Sequence, residues 1–306
     1  MDNLLTMRTL LEELFQHKTL SRQQAAAALC ELASGRHSHA QLAAFLTAFL
    51  MRSLTLDELR GFRDGLLQLC QPVDLSDVDP IDVCGTGGDG KHTFNISTLT
   101  AFVLAGAGIP VAKHGNYGVS SVSGSSNVLE QLGVAFATGE GQLRQQLTAA
   151  AICFLHAPLF HPAMRQVAPV RRELGVKTFF NMLGPLVNPA RPRVQLVGVY
   201  NLELARMYRY LFQEEATRYA IVYSLDGSDE VTLTTAAVLM DNSGEQRLGP
   251  EAFGFDPVQP ADLQGGKSVA EAAAIFLRIL EGRGSAAQNN IVLANAALGI
   301  RLYRPE

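Results

Sequence analysis

Four glycines fall within six positions, Gly85, Gly87, Gly88 and Gly90, directly after the short apolar run Ile81-Asp82-Val83-Cys84. The run reads as a buried strand. Past the glycines, Asn95-Ile96-Ser97-Thr98 offers capping side chains ahead of an apolar helix, Leu99 to Ala107. Strand, glycine loop and helix start together aim bare backbone N–H groups and a positive helix terminus at a phosphate. Glycine suits such a loop because no Cβ blocks the approach and a positive φ costs little.

Two known phosphate loops fail on particular residues. Gly85, Gly87 and Gly90 satisfy G-x-G-x-x-G, but that fingerprint requires an acidic ribose ligand about 20 residues on. The next expected strand, Ile109 to Ala112, ends in Lys113 instead. Gly85 to Lys91 nearly matches the P-loop, yet His92 stands where a magnesium-binding Ser or Thr belongs. Asp89 adds a negative charge to a loop meant for anions, which suits phosphates that arrive with magnesium or beside a cationic centre.

With 306 residues, 47% hydrophobic content and a net charge of -4, the chain is a globular protein with no basic excess for nucleic acid. One large domain and a smaller one are expected. Cys30, Cys70, Cys84 and Cys153 lack paired spacing and read as small buried hydrophobes in a reducing compartment. No signal peptide and no membrane-length apolar run are evident, so a cytoplasmic location is expected.

Residues 1 to about 70 are helical, with apolar stripes at helical spacing: Leu10, Leu11, Leu14 and Phe15, then Ala25 to Leu32, then Gln41 to Met51 after Ser38. Thr55-Leu56-Asp57-Glu58 opens a fourth helix ending near Cys70. Such stripes form a small helical subdomain, with one stripe available as a dimer face. Gln71 to Pro80 connects to the next domain. From Ile81 short apolar runs alternate with helices, the pattern of a mostly parallel sheet. Strands are expected at Ile81–Cys84, Ile109–Lys113, Ala151–His156, Gln195–Val199, Ala220–Ser224 and Glu230–Leu233, with helices such as Val128–Leu132 and Leu202–Glu214 between them. The fold class is therefore α/β, a mostly parallel central sheet flanked by helices, with a smaller all-α N-terminal domain.

Ligands of such sheets bind beyond the carboxyl ends of the strands. Polar residues gather at two further ends. Lys113-His114-Gly115-Asn116 runs into Ser120, Ser121 and Ser125, a second polyanion cradle with one point charge and several hydroxyl donors. Asp226-Gly227-Ser228-Asp229-Glu230 places adjacent carboxylates where one or two magnesium ions could share ligands with a diphosphate.

Together these segments resemble the anthranilate phosphoribosyltransferase family. The resemblance also covers His161-Pro162-Ala163-Met164, Val170-Arg171-Arg172-Glu173-Leu174-Gly175 and Asn181 to Pro189, and runs from about residue 5 to about 300. It implies transfer of a phosphoribosyl group from phosphoribosyl pyrophosphate (PRPP) to the amino group of anthranilate, releasing pyrophosphate, in tryptophan biosynthesis. It implies a homodimer, no nucleic-acid or membrane partner, and two Mg2+ ions arriving partly with PRPP. Residues 1–72 plus about 171–190 would form the helical, dimerising, acceptor-side domain; 78–170 and 191–306 would form the PRPP-binding α/β domain.

Carried over residue by residue, the PRPP site comprises Gly85, Gly88, Asp89, Thr93, Asn95, Ile96, Ser97, Thr98, Lys113, His114, Gly115, Asn116, Ser120, Ser121 and Ser125. Gly85, His114, Asn116 and Arg171 would face anthranilate, with 181–185 lining the acceptor channel; Ser97, Asp229 and Glu230 would touch the metal. No acid–base residue is implied, since an aromatic amine is already neutral. Tyr117 stands where the family usually has Arg, and Asn127 where it usually has Asp, so neutral contacts would replace an ion pair. The family pattern also continues some tens of residues past Asn295-Ala296-Ala297-Leu298, whereas this chain stops at Glu306. Two other readings are a pyrimidine nucleoside phosphorylase-like enzyme, which the metal-type acidic pair disfavours, and a non-catalytic nucleic-acid-binding relative, which the net acidity disfavours.

Overall fold

The computed structural model describes residues 6–118 and 121–305. Four helices open the chain: α1 (Met7–Phe15), α2 (Arg22–Ala33), α3 (His39–Ala48) and α4 (Leu56–Leu69). Each starts at a Ser or Thr whose hydroxyl accepts a first-turn N–H, and α2, α3 and α4 carry complete capping boxes through Gln24, Gln41 and Glu58. Then follow β1 (Ile81–Gly85), α5 (Ile96–Gly106), β2 (Val111–Gly115), α6 (Ser125–Gln131), α7 (Glu140–Ala150) and β3 (Ile152–His156). After the short helices α8 (Ala157–Phe160) and α9 (Ala168–Leu174) come β4 (Val194–Gly198), α10 (Leu202–Gln213), β5 (Arg218–Ser224), β6 (Ala237–Asp241), β7 (Gly244–Leu248), α11 (Val269–Leu280) and α12 (Ala286–Tyr303).

The chain divides into two compact units, Met1–Pro72 with Pro158–Pro189, and Val73–Ala157 with Ala190–Glu306. The returning segment of the first unit thus begins at Pro158, earlier than the expected Arg171. Its core is aromatic: Phe45, Phe49 and Phe62 meet Phe179 of that segment, with Phe62 and Phe179 stacked at 4.3 Å.

In the second unit a seven-stranded sheet runs in the order β3-β2-β1-β4-β5-β6-β7, parallel through β5 and antiparallel beyond. The strand order reverses between β1 and β4, where a crevice opens at the carboxyl ends. Beneath it Ile81, Val83, Ile96, Leu99, Val111, Leu196 and Val222 form part of one buried apolar cluster with α5, α11 and α12.

Three expectations differ from the structure. Glu230–Leu233 is not a strand; β6 and β7 form the antiparallel edge instead. Ile109 lies just outside β2, whose register places Val111 first. Cys30 is only half-buried, unlike the other three cysteines, and no disulfide forms among the described residues. No helix of the described residues is long and apolar enough to cross a membrane.

Candidate active site

The glycine loop leaves β1 at the switch point. Gly87, Gly88 and Gly90 have φ of 60°, 77° and 75°, and His92 follows at 52°. A chain this far into the left-handed region favours glycine at three of these four positions. At the far side the loop is pinned to a distant segment: Phe94 N–H donates to the Leu263 carbonyl at 2.9 Å and Gly265 N–H to the His92 carbonyl at 3.0 Å, with Thr93 bridged to Gln264.

Asp229 and Glu230 reach this loop from more than a hundred residues away. Asp229 Oδ2 accepts from Gly87 N–H at 2.7 Å, and Glu230 Oε1 from Ser97 N–H at 2.8 Å. Ser97 lies in the first turn of α5, so a carboxylate sits at the positive end of that helix. Asn95 occupies the N-cap position, but its side chain makes no cap bond; its Nδ2 donates to the Ser123 carbonyl at 3.4 Å. The expected capping by Asn95 is therefore replaced by Glu230, whose carboxyl oxygen takes the first-turn N–H of Ser97.

Asp229 gets this close because two glycines stand side by side. Gly85 ends β1 and pairs in register with Gly198, which ends β4. A Cβ on Gly85 would meet the Asp229 carboxyl carbon at 3.2 Å and its Oδ2 closer still; one on Gly198 would lie 2.7 Å from the Asp229 carbonyl carbon. Gly198 belongs to no loop motif in the sequence, although glycine inside a strand is itself a sign of close backbone approach.

Burial pushes the Asp229 carboxyl up to about 6, with Asp89 adding repulsion and the Gly87 N–H opposing it. Burial and then Asp229 raise Glu230 well above the usual carboxylate range. Lys113 counteracts both from β2. It is 2% exposed, and its ammonium donates to the Val83 carbonyl of β1. Cys84, next to it, is held as a neutral thiol by burial, with Asp82 assisting.

These residues fit a divalent cation carried by a diphosphate. Among the described residues no group of three or more His, Cys, Asp or Glu side chains could hold a metal ion by itself. Two crowded carboxylates that resist ionisation are what a cation stabilises. Magnesium characteristically takes one or two protein carboxylates and completes its shell with water and phosphate oxygens. Asp89 Oδ2 is also buried without a hydrogen-bond partner, while its Oδ1 accepts from Lys91 N–H at 3.1 Å.

The remaining candidates divide. Ile96 and Thr98 are buried in the body of the unit, so only their backbone can face a ligand. His114 is buried, and its backbone N–H donates to Asp82 Oδ1 at 3.1 Å. Gly115 has no room for a Cβ, which would crowd Phe154 at 2.5 Å. Asn116 is exposed and turns its Oδ1 to the Tyr117 N–H at 2.8 Å, while its carbonyl accepts from Ser126 N–H and Ser125 Oγ. Ser121 is exposed; Ser120 lies outside the described residues. Gly88 sits in the loop with Asp89 and Thr93. Arg171 belongs to the other unit, on α9: its guanidinium lies 5.1 Å from the Phe180 ring centre and donates to Asn181 Oδ1 at 3.3 Å. Burial lowers its pKa.

The two departures from the family pattern have separate solutions. Asn127 Oδ1 accepts from both Gly118 and Gly124 N–H at 2.9 Å, stapling the loop across itself. Tyr117 packs edge-on against His156 at 4.9 Å and donates to Glu130 Oε1 at 3.3 Å.

A doubly built chain of this kind, helical unit plus α/β unit with an anion loop at the switch point, is the architecture of a glycosyl transferase. Residues 8–70 match the helical bundle domain of the glycosyl transferase family and residues 77–304 match its a/b domain. An anthranilate phosphoribosyltransferase of Flavobacterium psychrophilum is 56% identical over 294 residues, 96% of this chain and 89% of the relative. That of Cytophaga hutchinsonii is 51% identical, over 98% of this chain and 92% of the relative. Among solved structures, the Thermus thermophilus enzyme of the same name superposes with a TM-score of 0.88 at 33% identity, covering 97% of this chain and 90% of that one. The Saccharomyces cerevisiae enzyme in complex with PRPP and Mg gives 0.87 at 26%, covering 97% and 88%. The chain belongs to the anthranilate phosphoribosyltransferase family.

Proposed function

We propose that this chain transfers the 5-phosphoribosyl group of PRPP to the amino group of anthranilate, giving N-(5-phosphoribosyl)anthranilate and pyrophosphate, the second step from chorismate to tryptophan. The observation that carries the site assignment is the convergence of Gly87, Ser97, Asp229 and Glu230 at the sheet's switch point. Membership of the family supplies the substrates.

Breaking the anomeric bond leaves an oxocarbenium-like ribose and a departing pyrophosphate, so stabilising the leaving group and aligning the amine are the protein's main tasks. Asp229 and Glu230 would hold Mg2+, as two ions shared with PRPP, and Asp89 would complete the acidic side. Bound there, the metal supplies positive charge to the diphosphate oxygens. The glycine loop from Gly85 to Gly90, with Thr93, Asn95, Ser97, Asn116, Ser121 and Ser125, binds and orients the phosphates. Lys113, on β2, opposes the rise of the two carboxyls and favours their charged form. Arg171 grips the acceptor carboxylate with its planar fork, and Asn116 and His114 line the acceptor side. No side chain is assigned as acid or base, because the anthranilate amine attacks in its neutral form.

The helical unit exposes Phe15, Leu50 and Met51, the last at 74%, and these apolar side chains support a homodimer through that unit. A cytoplasmic location accords with the biosynthetic role. Loss of anthranilate fluorescence in a mixture of protein, PRPP and Mg2+ tests the activity: it is expected only when all are present. Persistence of the signal in the full mixture would contradict it.

A further inference from the structure

The peptide that follows the carboxylate pair has no strand to lie in. Val231, Thr232 and Leu233 are nevertheless buried, at 1%, 0% and 1% exposure. Buried backbone groups need partners; the Leu233 carbonyl accepts from Val258 N–H at 3.0 Å, and around Val231, where the ladder is missing, two side chains supply them. Ser224 Oγ, at the end of β5, donates to the Glu230 carbonyl at 2.6 Å. Asn295, on α12, accepts from the Val231 N–H through Oδ1 at 3.1 Å. These two groups belong to one peptide unit, so it is clamped from both ends. Asn295 Nδ2 then donates to the Val231 carbonyl at 2.8 Å and to Ile291 of its own helix at 2.8 Å. Its amide thus does for Val231 what a neighbouring strand would do.

The clamp works against local strain. Leu233 has φ of 59°, a left-handed conformation rare for a bulky residue, which persists only where the surroundings impose it. Asn295 is also costly by local preference, being 5% exposed inside a helix where Ala or Leu propagates better. Both features make sense if the geometry of residue 230 matters more than local stability.

We infer that Ser224 and Asn295 are positioning residues for the cation site, fixing the main chain from which Glu230 extends. This rests on the assignment of Asp229 and Glu230 as cation ligands. With the peptide held, the Glu230 carboxylate is free only in its side-chain torsions, and its Oε1 is already tied to Ser97 N–H at 2.8 Å. Cation ligands tolerate displacements of only about 0.5 Å, and losing an outer contact of this kind typically weakens metal affinity about 10- to 100-fold.

The test is calorimetric titration of PRPP into the protein at a series of free Mg2+ levels, for Ser224→Ala, Asn295→Ala, Asp229→Asn and Glu230→Gln. For Ser224→Ala and Asn295→Ala the Mg2+ midpoint is expected to move up about 10-fold or more. The anthranilate KM at saturating Mg2+ should stay that of the parent, and kcat should recover as Mg2+ is raised. A parental Mg2+ midpoint in these variants, with only a lowered melting temperature, makes the contacts a mere staple of α12 and overturns the inference. Ser224→Ala removes a single oxygen and decides the matter even if Asn295→Ala does not fold. If Asp229→Asn and Glu230→Gln also keep the parental midpoint, it is the ligand assignment itself that fails.

Discussion

Replacing Asp229 by Asn should make the ligand-free protein more stable while removing its magnesium-dependent turnover. The charged carboxylate is buried and destabilises the fold at neutral pH. Its folded value, raised from 3.8 to about 6, corresponds to about 3 kcal/mol at about 1.4 kcal/mol per tenfold change. The sign follows from the direction of the shift. A raised carboxyl favours the fold in its protonated form, so the penalty is absent below about pH 4, grows between about pH 4 and 6, and is complete above that. Asparagine stands in for the protonated acid and removes the penalty, which already includes the charged hydrogen bond from Gly87 N–H. A net gain of about 3 kcal/mol at pH 7 results. Urea unfolding of both proteins at pH 7 and pH 4, without Mg2+ or PRPP, measures it through the midpoint of the transition. The gain should disappear at pH 4. A variant less stable than the parent at pH 7, or equally stabilised at both pH values, would refute the reasoning.

Gly198→Ala should cost about 1–3 kcal/mol of stability by overpacking against the Asp229 main chain, and should raise the Mg2+ requirement at the same time; thermal melts and Mg2+ titrations check both effects. Asn127→Ala leaves the Gly118 and Gly124 N–H groups without their shared acceptor, so faster amide exchange at those two glycines and a higher PRPP KM are expected. Arg171→Ala should raise the KM for anthranilate more than that for PRPP, and equal effects would count against its assignment to the acceptor. Light scattering should give twice the 33.0 kDa chain mass; a strictly monomeric protein would remove the dimer.

Strand, glycine loop and helix start were legible at Ile81 to Ala107 because glycine spacing and apolar runs are local signals. The helix starts at Ser38 and Thr55 were legible for the same reason. Glu230–Leu233 misled because a β-branched, buried stretch has strand composition whether its partners are backbone or side chains; here they are Ser224 and Asn295. The β6–β7 hairpin was hidden by its mixed, edge-type sequence from Ala237 to Leu248. Gly198 and Asn295 matter through contacts 31 and 64 residues distant from Asp229 and Val231 respectively, which no local pattern encodes. The acidic pair could be noticed at residues 229 and 230, but its attachment to Gly87 and Ser97 required the folded sheet.

A crystal structure of the protein with PRPP and Mg2+ tests the central claim most directly. Magnesium is expected within about 2.0–2.1 Å of an Asp229 or Glu230 oxygen, with the diphosphate lying over the amides of Gly85 to Gly90. PRPP bound away from that loop, or magnesium coordinated with neither carboxylate, would contradict it.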